Sequence, residues 1–175
     1  MTIVQQLSDW FAPWQSAYSD SKVLSTSVTT IHLLSLFIGG GFAVAADRLT
    51  WRLTRPGSPA TEADRMRQLV DLKEVHAPVL ISLTILFGSG LLLAAADIKT
   101  FAPSPIFWVK LALVAVLIVN GAVLRLSERA LWRRSVGGGS DAETARLWRR
   151  LRRSAGVSLA MWLATVVTGA MLVNA

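Results

Sequence analysis

The chain has 175 residues, 53% of them hydrophobic, and carries 18 Lys and Arg against 11 Asp and Glu, for a net charge of +7. So apolar a chain cannot be an ordinary soluble domain, and its charges fit only if they are gathered into connections between apolar segments. Such basic connections have a topological origin that needs no nucleic acid, and the lack of cysteine excludes disulfides, thiolate metal sites and thiol redox couples.

Residues 1–20 place Val4, Leu7, Trp10, Phe11 and Trp14 at helical spacings, with only Asp9 and Asp20 charged. They read as a short amphipathic helix in the membrane interface, Trp10, Trp14 and Tyr18 lying at the headgroup level. The basic start and apolar core of a signal peptide are not seen in them.

Residues 21–175 read as one four-span bundle, because no connection is long enough for a second domain. A bilayer core takes about 20 residues of helix, so 23–46 can span it. This first span is unusually polar: Ser25, Ser27, Thr29, Thr30 and Ser35 accompany His32, and lipid does not reward outward hydroxyls. One side must therefore face inward. Three-and-four spacing groups His32 with Ser25, Thr29, Ser35, Leu36 and Gly39.

In the connection 47–73, Pro56, Gly57 and Pro59 mark a turn, and Thr61 or a residue beside it can cap the polar helical lead-in that follows. The second span, 75–96, holds His76, Pro78, Gly88, Ser89 and Gly90; Pro78 frees the Glu74 carbonyl, so the helix starts or kinks there. Ser104 and Pro105 open the third span, 105–124, which contains Lys110 and Asn120. A lysine inside a span either snorkels or serves a function. Beyond it, Arg125, Arg129, Arg133 and Arg134 and then Arg146, Arg149, Arg150, Arg152 and Arg153 sit on helical extensions either side of a glycine break. The fourth span, 154–175, carries Met161, Trp162, Thr165, Thr168 and Gly169.

The connections after spans one and three hold nearly all the Lys and Arg, which puts them on the cytoplasmic face and both termini outside. At 1.5 Å per residue His32 then lies about 13 Å deep, level with Gly88 to Gly90 and with Thr165 to Gly169, while Lys110 lies about 8 Å deep. His76 lies near the cytoplasmic end, about 15 Å from His32, so the two histidines do not share a metal. The spans show no paired carboxylates of the kind a proton pump uses, and GGGS lacks the lysine of a phosphate loop.

Two readings of the small residues around His32 stay open. In one, they let helix backbones approach while His32 hydrogen-bonds across the bundle. In the other, the gap holds haem: His32 is the axial ligand, Gly39, Gly88 and Gly90 give the ring a flat approach, and Lys110 or the hydroxyls of Thr165 and Thr168 meet the propionates. A second, less supported site would use His76, with Met161 or Asn120 at similar depth.

The segment IHLLSLFIGGGFAVAADRL, followed two spans later by SPIFWVKLALVAVLIVNGAVL, resembles the membrane domain of copper-resistance D-type proteins and a related uncharacterised four-span family. It is more distantly similar to the bacterial four-span protoporphyrinogen oxidase, in which a histidine on the first helix and a lysine on the third are linked to b-type haem. The resemblance aligns His32 and Lys110 with those positions and Asn120 with the asparagine of the copper-type pattern; His76 has no counterpart. The chain departs from the copper-resistance proteins in having one four-helix unit and no soluble copper-binding domain.

The expectation is thus an all-α integral membrane antiparallel four-helix bundle with a short N-terminal interfacial helix, in the bacterial cytoplasmic membrane. It binds haem b at His32 for electron transfer or haem-linked redox chemistry, as an oxidoreductase or with a redox partner. The alternatives are a copper or other metal permease, or a cofactor-free subunit of a larger membrane complex. Homo-oligomers are compatible with each.

Overall fold

The computed structural model describes residues 3–137 and 140–173, and among these it is helical with no strand. The helices are α1 (Ile3–Trp10), α2 (Ala12–Asp20), α3 (Lys22–Thr54), α4 (Glu62–Ala96), α5 (Ile98–Phe101), α6 (Pro105–Gly137) and α7 (Asp141–Val173). Gly138 and Gly139, read as a flexible break, lie outside the described residues, as do Asn174 and Ala175 at the end of the fourth span. α3, α4, α6 and α7 are each long and apolar enough to cross a membrane, and they pack into a bundle. The chain is an all-α membrane protein.

Each long helix runs past the bilayer-length segment seen in its hydropathy, because the polar flanks are themselves helix formers with defined stops. α3 continues through Asp47 to Thr54 and stops where Pro56 forces Arg55 into extended backbone (φ −65°, ψ 150°). Gly57 then supplies the turn at φ +72°, a region that side chains disfavour. α4 begins at a capping box: the Thr61 hydroxyl accepts from the Asp64 amide at 3.2 Å, and the Asp64 carboxylate accepts from the Thr61 amide at 2.9 Å. It then runs unbroken through Pro78, so the helix starts well before that proline.

The N-terminal segment forms two helices rather than one, α2 starting beside Pro13. They dock across one end of the bundle, against α3, α4 and α5. The Trp14 indole N–H donates to the Leu92 carbonyl at 2.9 Å, and the Gln15 amide donates at 3.2 Å to the Ala95 carbonyl, one of the last carbonyls of α4, which lack helical partners. Trp10 remains exposed, and Tyr18 turns to the Thr29 hydroxyl at 3.3 Å.

α3 packs on α4 and on α7, and α7 packs on α6, whereas α4 and α6 touch only lightly. The seam between α4 and α6 is therefore the loosest of the bundle. Close approach is bought by small residues: a Cβ on Gly39 would fall 2.6 Å from the Cβ of Ser82, and one on Gly40 would fall 3.2 Å from the Trp162 ring. Ala43, Leu83, Leu86, Leu117 and Trp162 form an apolar layer at mid-bundle, with Leu36, Val79 and Met161 against it. A second layer, built on Leu69, Leu72, Leu124, Leu131 and Leu151, lies toward the basic connections. Phe37, Val119 and Leu163 point outward, as surfaces facing lipid do.

Candidate functional site

The buried side of α3 reads Val28, His32, Ser35, Gly39, Ala43, Asp47, Thr50, one residue per turn. This stripe carries ionisable groups at two levels, His32 toward the terminal end and Asp47 toward the basic end, with the apolar mid-bundle layer between them. Ser25 and Thr29, grouped with His32 by spacing, fall off it: Ser25 bonds back to the Ser21 carbonyl at 3.1 Å, and Thr29 is exposed.

His32 is 7% exposed and rests on α4, where Gly90 makes room: a Cβ there would lie 3.3 Å from the ring Cε1. The Ser89 hydroxyl sits 2.6 Å from the Ile85 carbonyl one turn back, and only the hydroxyl has a proton to place between those oxygens. It therefore accepts from the imidazole 2.9 Å away, so the hydrogen-bond network assigns the proton to Nδ1 and the lone pair to Nε2. The Leu86 carbonyl is a further acceptor beside the ring.

Lys110 comes from α6. Its ammonium lies 3.6 Å from the place a Cβ on Gly169 would take, within electrostatic reach of His32. Among the described residues it makes neither an ion pair nor a hydrogen bond. A partly buried ammonium inside a membrane bundle, with no anion beside it, has a standing affinity for one.

The other residues singled out from sequence take different roles. Gly39 is filled by Ser82, and Gly90 by the imidazole itself, while Gly88 has nothing within 4 Å of a Cβ. Thr165 is fully buried and bonds back to the Met161 carbonyl at 2.8 Å; Thr168 bonds back to Ala164 at 2.8 Å. Asn120 ties α6 to α7, donating to the Ser154 carbonyl at 3.0 Å and accepting from its hydroxyl at 2.7 Å. Met161 packs in the apolar layer.

His76 belongs to the other level. Its Nδ1 donates to the Leu72 carbonyl at 2.7 Å and lies 3.2 Å from Glu128 Oε2. Glu128 and Asp47 are only 8% and 4% exposed and stand within electrostatic reach of each other, with Ser158 on the same cavity wall as Asp47. A pair of carboxylates therefore does exist inside the bundle, at its basic end. Sequence assigns Asp47 to a connection and Glu128 to a basic extension; continuing the one-per-turn stripes from His32 to residue 47, and from Leu117 through Leu124 to residue 128, would have found both. The other Glu128 oxygen, Oε1, and Gln68 Oε1 are buried without a hydrogen-bond partner. Among the described residues no three His, Cys, Asp or Glu side chains converge as a metal cage.

Fold and site together define a membrane four-helix bundle with two polar levels separated by an apolar layer. No family model matches the chain, and neither a curated protein nor a solved structure does.

Proposed function

We propose that the chain is a b-type haem protein of the bacterial cytoplasmic membrane, its basic connections cytoplasmic, acting in electron transfer or haem-linked redox chemistry. The observation that carries this reading is the pairing of an inward, anchored imidazole with an unpaired ammonium at the same end of the bundle. A histidine whose Nδ1–H is held by an outer partner presents Nε2 in the tautomer and orientation a metal requires. Lys110 supplies the positive charge that a haem propionate would meet, and the flexible end of its chain is the nearest group over Gly169, so it can move aside. The fit rests on these donors alone: Gly39 and Gly90 are filled by Ser82 and His32, and Gly88, two residues from Gly90, lies on the other side of α4. Bound haem would supply one-electron chemistry. His32 would hold the iron, while Ser89 fixes the imidazole's orientation and the apolar layer beneath would exclude water.

The resemblance to copper-resistance membrane domains supports the same placement of His32 and Lys110. A copper(I) route favours soft sulfur ligands, and the His32 level offers oxygen and nitrogen instead. The test is an optical spectrum of detergent-purified protein, oxidised and dithionite-reduced, beside His32→Ala. A Soret and α-band pattern lost in the variant is expected. Protein that stays colourless after expression with haem precursor overturns the reading and turns attention to metal content and co-purifying subunits.

A further inference from the structure

The loose seam between α4 and α6 contains a cavity of about 230 Å³. Its walls are mostly apolar, and its polar side chains are gathered toward the basic end. There Asp47, His76, Arg125 and Ser158 line it together with Leu72 and Leu124; toward mid-bundle it is lined by Leu83, Leu117 and Trp162. From His76 to Leu83 is about 10 Å at 1.5 Å per residue. This is the polarity profile of a phospholipid in the leaflet on the basic side: headgroup at the bundle end, chain toward the membrane centre.

The polar end also states what the headgroup must carry. Asp47, which lines that end beside Ser158, is buried and makes no ion pair among the described residues. A buried carboxylate is an acceptor in want of a donor, ideally cationic. Arg125, which lines the same end with Arg129 nearby, is a guanidinium suited to phosphate. An ammonium next to a phosphate matches Asp47 and the arginine together. The volume is below the roughly 300–1,000 Å³ of sites that enclose drug-sized ligands, so it suits one slender chain.

We infer that this cleft is a binding site for a zwitterionic aminophospholipid of the ethanolamine type, ammonium toward Asp47, phosphate on Arg125, one acyl chain along Leu83 and Trp162. The site is independent of any haem at His32. Native mass spectrometry of the purified full chain with phosphatidylethanolamine or phosphatidylglycerol tests it. Phosphatidylethanolamine retained at least tenfold better than phosphatidylglycerol is expected, with the preference lost in Asp47→Asn and in Arg125→Gln. Gly121→Phe fills the cleft from a position where a Cβ meets nothing within 4 Å, so it should fold, as checked by circular dichroism, and lose the lipid. Equal retention of the two lipids, or full retention in folded Gly121→Phe, overturns the inference.

Discussion

His32 Nδ1 and the Ser89 hydroxyl lie 2.9 Å apart inside the α3–α4 interface, and that one bond sets both the plane of the imidazole and its tautomer. Ser89 can only accept from it because its own proton is committed to Ile85, 2.6 Å away. If His32 ligates haem, Ser89→Ala removes the outer partner of the ligand. Haem retention should fall by about 10–100-fold, the range for losing such a partner, measured by transfer of haem to an apo-globin. Unchanged retention would mean that packing on Gly90 alone holds the ring.

Gly39 on α3 lies directly against Ser82 on α4. Gly39→Ala places a methyl 2.6 Å from the Ser82 Cβ, so the helices must part or shift. An overpacking cost of about 1–3 kcal/mol is expected, read as a lower midpoint of thermal unfolding in detergent. Gly41→Ala is the control: nothing lies within 4 Å of its Cβ, and no loss should follow.

Asn120 and Ser154 are joined side chain to side chain at 2.7 Å, across the α6–α7 interface. Polar pairs between membrane helices contribute about 0.6 kcal/mol on average and up to about 1.7 kcal/mol. Asn120→Ala should cost about 1 kcal/mol, and a double-mutant cycle with Ser154→Ala should show a coupling of similar size. Strictly additive losses would show that the two residues act separately.

Thr61 opens α4 outside the apolar segment, where its capping box satisfies amides that no helical carbonyl reaches. Thr61→Ala should cost about 1 kcal/mol. Hydrogen exchange at the first-turn amides of α4 should quicken about fivefold, with exchange in the apolar spans unchanged. Protection equal to wild type would place the helix stop under the control of packing instead.

The four spans, the turn at Pro56 and Gly57, the cap at Thr61 and the inward position of His32 were all legible in the chain, because each follows from hydropathy, helical period or local backbone chemistry. The partners of the ionisable residues were not. Ser89 is 57 residues from His32, and Glu128 comes to His76 from another helix, so neither pairing leaves a periodic trace. Asp47 escaped for a different reason. Hydropathy reports where lipid ends, but α3 and its packing continue beyond that point to Thr54, carrying the carboxylate into the bundle.

By itself the sequence determined that this is a membrane protein of four apolar helices with charge collected in two connections, since the cost of placing polar groups in lipid acts on composition alone. Which helices neighbour which was decided only in three dimensions. The fit of Gly39 to Ser82 and Gly40 to Trp162 draws α3 onto α4 and α7, and so leaves α4 and α6 apart. That gap, and the gathering of Asp47, His76, Arg125 and Ser158 around it, comes from side-chain shape across interfaces, which no single helix encodes.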